Sequence, residues 1–505
     1  MTETLRTPPL ERPVSGRAPV RLADSERYLS MTECEAIARR AFAFAEGGGD
    51  TRVSIRSWWQ GEIRWARNRV SLASDRRDIS IEVARRYVRG SDSWVWALTN
   101  QQDDVSLQSA VRAAERQSIL SPYRGGIPSP FEPPIPDIPR PTTAIWGDTT
   151  YNLTTEARAE VARGLIGPAE AKGMLSAGYV EVRGASQMQV TSERPTGPYA
   201  PWDVPYVRWT QAQCSMTVRD PTGTASGWAG LSSYDWRTID STALAERALE
   251  KCLASQHPVA IEPGRYTVIL EPQAVADLME KLAAALNPPR PFVEVGNPSP
   301  WLLAYDNALG LWRTKLGLKV VDERITITHD PADPELGVVP EPGMQPETWI
   351  DHGVLTNLGY PREYALALLN RNAPVRGPRG VTGGSLTGAY RMSGGATSVA
   401  EMIRTTKRGL LVTRFFDVQV LDPASVLSTG LTRDGLWLIE NGKISKAVKN
   451  LRFTESPVFV LNSLEQLGPP ERVFRRTDTG GKPTPAIVPP LKARDFSFTS
   501  TIDAI

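Results

Sequence analysis

Apolar and polar positions along the chain alternate between two periods. In "SMTECEAIARRAFAFAEGGG" the apolar residues recur every three to four positions, the spacing of a helix with one covered face. Thr32 and Glu35 read as its capping box and the glycine run as its stop. The period then falls to two in "RVSIRSWWQGEIRWARNRVSLAS" and "DISIEVARRYVRGSDSWVWALTN". That alternation predicts antiparallel strands with one face covered, with turn signals at Gln60-Gly61 and Arg89-Gly90. A second amphipathic helix is expected over 103–118.

Residues 121–147 are rich in proline and read as an extended connection. Helical spacing returns in "TTEARAEVARGLIGPAEAKGM". Strand alternation follows in "GYVEVRGASQMQVTSE", "YVRWTQAQCSMTVRD" and "ASGWAGLSSYDW", then a helix in "DSTALAERALEKCLAS". The step from "GWAGLSSYDW" to "LAERALEKC" echoes that from "WVWALTN" to "LQSAVRAAERQ", a hint of internal duplication.

Beyond the boundary signals of "QHPVAIEPGRY", "YTVILEPQAVADLMEKLAAAL" predicts a buried strand turning directly into an amphipathic helix. A loop-rich stretch, 286–400, leads into a β-meander. Asn441-Gly442 is the clearest hairpin signal, because a type I′ turn needs positive φ at both central residues, and Asp434-Gly435 reads as a second. The expected fold is α+β in two domains. The first, 29–258, is an antiparallel sheet with helices; the second, 259–470, is mostly β, meander or barrel-like, with an entry helix. A flexible tail (1–28) precedes them, and a proline-rich extension (471–505) is expected to wrap an outer surface.

Length and composition fit this division: 505 residues exceed one ordinary core, and 41% hydrophobic with 23% charged residues is a globular balance. The net charge of +2 gives no general pull toward nucleic acid or a membrane surface, and no apolar run is long enough to span a bilayer. The N-terminus lacks the apolar core of a secretory signal. Cys34, Cys214 and Cys252 are odd in number and far apart, which suits a reducing cytoplasm and not a disulfide framework. His257, His329 and His352 are too scattered for two to share a helix face.

In order and content, several segments resemble the TldD/PmbA family, once called modulators of DNA gyrase. They are "GEIRWARNRVSLAS", "SLQSAVRAAER", "PGRYTVILEPQAVADLM", "DERITITHDP", "DHGVLTNL" and "EMIRTTKRGLLVTRFFDVQVLDP…GLTRDGLWLIENGKI", spread over roughly 30–470. The resemblance implies a two-domain α+β fold and a dimer enclosing a central cavity. TldD-type members are metallopeptidases with an HExxxH motif on the helix after "YTVIL". PmbA (TldE)-type members lack the motif and pair with the active subunit, and the pair is associated with degrading unstructured peptides and maturing small peptide precursors.

Aligned on that motif, Glu280 falls at the first histidine, Lys281 at the catalytic glutamate and Ala285 at the second histidine, with Leu282, Ala283 and Ala284 between them. Zinc hydrolysis needs imidazole or carboxylate ligands, an open water position and a nearby base. Alanine cannot ligate and a lysine cation repels a metal. The family's late cysteine ligand has no counterpart either, since no cysteine follows Cys252. The chain is therefore expected to be a metal-free, PmbA/TldE-like pseudoenzyme without metal, cofactor or catalytic residues of its own. Zinc is expected in an HExxxH-bearing paralogue. The alternative is a homodimer that binds a peptide or small ligand in the former protease chamber.

Other candidates carry less. Cys252 and His257 could pair as a thiol and base, but Cys252 lies on the apolar face of its helix with Leu249. Cys34 lies in the first turn of a helix, a setting that favours a thiolate, with no partner nearby; Cys214 reads as core. "GPRGVTGGSLTG" lacks the lysine-plus-hydroxyl ending of a phosphate loop. The aromatic-basic alternation of "SIRSWWQGEIRWARNRV" suits single-stranded nucleic acid, yet a tryptophan-lined sheet under a helix explains it better.

Overall fold

The computed structural model of the chain describes residues 27–46, 49–86, 94–120, 145–191, 204–287, 300–306, 311–339, 344–359, 388–476 and 481–502. The predicted tail over 1–26, the connection over 121–144, the Arg89-Gly90 turn and most of "GPRGVTGGSLTG" lie outside the described residues.

Among the described residues the N-terminal part is a two-layer sandwich of one antiparallel sheet and four long helices, with one short helical turn at Asp148–Tyr151. Helix α1 (Met31–Phe44) precedes strands β1 (Asp50–Ala66), β2 (Arg69–Arg86) and β3 (Val95–Thr99), and α2 (Asp104–Leu120) follows them. The pattern then repeats as α3 (Thr155–Ala171), β4 (Leu175–Thr191), β5 (Val204–Arg219), β6 (Ser226–Ser233) and α4 (Ser241–Ala254). The sheet order β3-β2-β1-β4-β5-β6 sets two αβββα units side by side, joined at the antiparallel β1–β4 pair. This is the arrangement the strand-to-helix echo anticipates. Alternate residues of β1 pack beneath the helices: Val53 and Ile55 under α1 and α2, and Trp59, Ile63 and Trp65 under α3.

Two local expectations shift. The capping box of α1 is Ser30 and Glu33, each side chain bonded to the other's backbone N–H, and not Thr32 and Glu35. Gln60-Gly61 is no turn, because β1 runs straight through it and the hairpin closes at Arg67-Asn68, both at positive φ. Gly61 answers a different need. A Cβ there would lie 2.5 Å from Asp75 Oδ1 and 2.6 Å from the Arg158 guanidinium carbon, so glycine is what lets that ion pair cross the strand.

In the C-terminal part, β7 (Gly264–Leu270), β8 (Arg408–Asp422), β9 (Leu427–Glu440), β11 (Leu451–Glu455) and β13 (Leu491–Thr501) pair in a ring, closing a five-stranded barrel. Phe415, Phe453, Phe496 and Phe498 cluster within its core. Strand β10 (Lys443–Ala447) leaves β9 through the predicted Asn441-Gly442 hairpin, at φ 50° and 78°. Asp434-Gly435 is not a hairpin: it sits inside β9, where two residues oppose the single Thr413 as a bulge. The C-terminal segment departs most from expectation. It does not wrap an outer surface; β13 is a barrel stave between β7 and β11, also paired by β12 (Leu464–Leu467). Its buried Leu491, Ala493, Phe496 and Phe498 are interrupted by Lys492, Arg494 and Asp495 and preceded by Pro489-Pro490, which masked the period.

A second sheet of six short strands, 354–355, 347–351, 327–329, 390–392, 486–488 and 471–472, lies beyond the barrel. The entry helix α5 (Pro272–Ala285) is packed between the two, with Leu278, Met279 and Leu282 sharing one core with barrel residues and with Trp349, Tyr390 and Val488.

Candidate functional site

Helix α5 begins where β7 ends, with Glu271 as N-cap and Pro272 in the first turn, a position that needs no N–H. Its start is fixed from two sides. The Glu271 backbone N–H donates to the Val412 carbonyl of β8 at 3.0 Å, and Lys251 of α4 approaches the Glu271 carboxylate at 2.5 Å. Apolar residues at 274, 275, 278, 279, 282 and 283 are buried, which leaves a narrow stripe on which Glu280 and Ala284 are exposed and Asp277 is largely covered.

The stripe is clamped at its upper end. Gln273 exchanges hydrogen bonds with the Phe474 backbone, donating at 3.2 Å and accepting at 3.1 Å, and donates to Asp277 Oδ1 at 2.9 Å. The other Asp277 oxygen accepts the Phe415 backbone N–H at 2.8 Å. Despite these donors, loss of water around Asp277 pushes its pKa up to about 6. Sequence reasoning passed over Asp277. Its only signal was a carboxylate three residues before Glu280, where a helix brings both to one face.

The predicted positions do not assemble a metal centre. Glu280 is half exposed, with Oε1 3.4 Å from the Lys281 ammonium and Oε2 3.5 Å from Arg475 Nη1. Two cations thus flank the one carboxylate at the place of the first ligand. Ala285 offers no donor atom, and its carbonyl accepts from the buried Trp301 indole at 2.8 Å. Among the described residues no group of three His, Cys, Asp or Glu side chains converges to hold a metal ion. The donor set at 280, 281 and 285 does not fit zinc.

The scattered histidines stay scattered. His329 is buried, bonds the Ala389 carbonyl through Nδ1 at 2.9 Å and stacks on Trp349. His352 is exposed beside Asp351, and His257 is exposed in the loop after α4. Tyr390 packs on Trp349, and its hydroxyl is fully buried without a hydrogen-bond partner among the described residues. Burial holds that phenol up at about 12, with Arg475 acting against the shift and Glu280 and Asp277 adding to it. Tyr390 and Arg475 belong to this site, and no spacing rule links them to α5 from sequence.

The thiol candidates are structural. Cys252 is buried under β6 with its Sγ 3.8 Å from the Ala225 carbonyl, and burial pushes its pKa up to about 12. His257 instead lines a cavity of about 400 Å³ with Ser255, Thr224 and Ser226. Cys214 is raised to about 12 by burial. For Cys34, burial and then the carboxylates of Glu33 and Glu35 have the same effect, which outweighs any benefit of the helix start.

The open face of the N-terminal sheet carries a second polar cluster. Glu62 and Glu181 are cross-strand partners there; Glu62 accepts from Arg64 at 2.7 Å and Glu181 from Gln60 at 2.9 Å. Burial raises the Glu181 carboxyl, with Arg183 opposing. Phe474 rests edge-on against Tyr179 and Trp228 of this sheet. One short segment, 473–476, therefore touches both the sheet face and α5.

Residues 263–500 match the model of the PmbA/TldA metallopeptidase C-terminal domain. Among solved structures, TldE from Thermococcus kodakarensis is similar at a TM-score of 0.70 and 16% identity, over 93% of this chain and 100% of that one. A proposed modulator of a DNA gyrase from Thermotoga maritima gives 0.66 and 15%, over 92% and 100%. Another from Bacteroides thetaiotaomicron gives 0.65 and 16%, over 93% and 98%. At these identities the three likenesses establish a common fold. No curated protein matches the chain.

Proposed function

Because this chain belongs to the TldD/PmbA family, a protease-related group, we propose that it is a metal-free subunit of a peptidase assembly acting on unstructured peptides. The observation that carries this reading is the state of α5. Its scaffold is intact, but the positions of the two histidines and the glutamate hold Glu280, Ala285 and Lys281, and Arg475 takes the flank of Glu280. An ammonium and a guanidinium beside one carboxylate leave a cation no net attraction.

In this reading the chain forms one wall of an enclosure, and the zinc and the water-activating base belong to an HExxxH-bearing paralogue in the cytoplasm. That wall consists of α5, 473–476 and the polar face of the N-terminal sheet, where Glu280 and Glu181 are tied to neighbouring side chains. Co-expression with the HExxxH paralogue tests it. The two are expected to co-purify at one to one, with one zinc per pair and none retained by this chain alone. Separate elution, with the paralogue fully active by itself, would end the proposal.

One observation favours a second reading, a homodimer that binds a ligand in the former protease chamber. Among the described residues the buried Tyr390 hydroxyl lacks a partner beside α5, as a site awaiting a polar ligand would. Light scattering on the purified chain separates the two, because a saturated homodimer leaves no surface for a paralogue.

A further inference from the structure

The cavity of about 400 Å³ beside His257 lies on the seam between the two parts of the chain, and none of its lining residues belongs to α5 or 473–476. Ser226, Ser255 and His257 line it from the N-terminal part; Leu436 of β9, with Val448 and Lys449 just after β10, lines it from the barrel side. An arch of residues 255–258 crosses the seam and is pinned at both ends. The Trp437 indole donates to the Ala254 carbonyl at 3.0 Å. Val259 donates to the Ala447 carbonyl and accepts from the Lys449 N–H, each at 3.0 Å. Between these pins His257 is held at a φ of 56°, a left-handed conformation that residues other than glycine seldom adopt.

Three polar side chains of the lining are uncommitted among the described residues. Ser255 is buried, and its Oγ has no hydrogen-bond partner. Ser226 is equally buried and the His257 ring exposed, and neither side chain makes a hydrogen bond. All three can donate one. The acceptors at the end of α4, by contrast, are taken: the carbonyls of Lys251, Cys252, Leu253 and Ala254 each receive an N–H. Asp220 and Asp434 stay outside the lining with partners of their own. Asp220 accepts from Thr224 at 3.2 Å and from the Ala225 N–H at 2.7 Å, and Asp434 lies 3.2 Å from Arg414. Among the described lining residues there is no carboxylate, whereas His257 and Lys449 are both basic.

We propose that this cavity binds a small organic carboxylate, its apolar body against Leu436 and Val448 and its charged end toward Ser226, Ser255 and His257. The volume is in the range of small-molecule sites. Hydrogen bonds to an ionised oxygen are stronger than those to a neutral one, so donors in this setting select an acid over its amide. The site is separate from the wall of the peptidase reading, and neither inference needs the other.

Calorimetric titration of the full isolated chain with phenylacetate, phenylacetamide and phenethylamine tests this, with hydrogen exchange to locate the binding. Phenylacetate is expected to bind about tenfold more tightly than the amide or the amine, or better, and to slow exchange across 255–259. His257→Gly removes the imidazole where glycine suits the backbone, so the fold should stand while affinity for phenylacetate falls about tenfold. Equal affinity for acid and amide, which means an apolar cavity without charge selection, would overturn the proposal on the native chain alone. So would preference for the amine, no binding of phenylacetate, protection elsewhere than 255–259, or affinity unchanged in a folded His257→Gly.

Discussion

Helices α4 and α5 are each fourteen residues long, each follows a strand, and each packs on a sheet, yet they are held differently. Helix α4 is capped by the Asp240 side chain and buries Ala245, Ala248 and Cys252 against one face of β6. Helix α5 has no side-chain cap and buries seven residues, because the barrel and the short-stranded sheet enclose it from both sides. Stability in α4 comes from close approach along a small contact; in α5 it comes from breadth of apolar burial. The positions where the family pattern places metal chemistry lie on or beside the narrow stripe of α5 that this enclosure leaves free. Ligands and base there can be exchanged for glutamate, alanine and lysine with little consequence for the fold. The scaffold and the chemistry are separable because they occupy different faces of one helix.

The contrast is tested most severely at Gly227 of β6. A Cβ there would collide with the Ala248 carbonyl and the Cys252 amide, both backbone atoms of α4 that cannot rotate away. Gly227→Ala is expected to cost about 3 kcal/mol, at the upper end of overpacking effects, and to lower the denaturant midpoint in urea titrations. If α4 tolerated the methyl group with no loss, close approach would not be what holds it.

A smaller effect, with a definite pH signature, is expected at Asp277. Its folded-state pKa of about 6 lies above the ordinary carboxylate value, so the folded protein binds this proton more tightly than the unfolded chain. The stabilisation this gives is present in acid and is lost as pH rises through the window from about 4 to about 6. Asp277→Asn cannot titrate. Relative to the native protein, the variant should therefore gain about 2–3 kcal/mol between pH 4 and pH 8, whatever its absolute stability. Denaturation at the two pH values checks it, and a constant difference would mean that Asp277 is as well solvated as a surface carboxylate.

The strands and helices of the N-terminal part, the Asn441-Gly442 hairpin and the β7-to-α5 step were legible because each rests on a local period or a local φ requirement, whereas the short strands within 286–400 were read as loop. The misreadings arose where one local signal has two physical causes. Glycine after a polar residue marked a close approach at Gly61 and a bulge at Gly435, since the residue suits either as well as it suits a turn. Prolines flanking 486–488 and 491–501 looked like a surface strap, although both segments complete sheets whose other strands lie far back in the chain. At the site, Glu280, Lys281 and Ala285 could be located through the family pattern. Asp277, Tyr390 and Arg475 converge from three distant segments, and only the fold brings them together.

The smallest effect is expected at Lys281, and its smallness is what gives it force. The side chain is largely covered, its nearest charged neighbour is the adjoining Glu280 at 3.4 Å, and that carboxylate also has Arg475. A partly exposed pair with a redundant partner contributes well under about 1 kcal/mol, so Lys281→Ala should leave the melting temperature nearly unchanged. If the chain pairs as proposed, peptide hydrolysis by the assembled pair should be equally indifferent, because the proton-transfer role of this position needs a metal-bound water and the residues at 280, 281 and 285 are not a ligand set for that metal. A loss of activity tenfold or more at unchanged stability would put the ammonium in contact with the reacting peptide. The free stripe of α5 would then be a working surface and not a residue of lost chemistry.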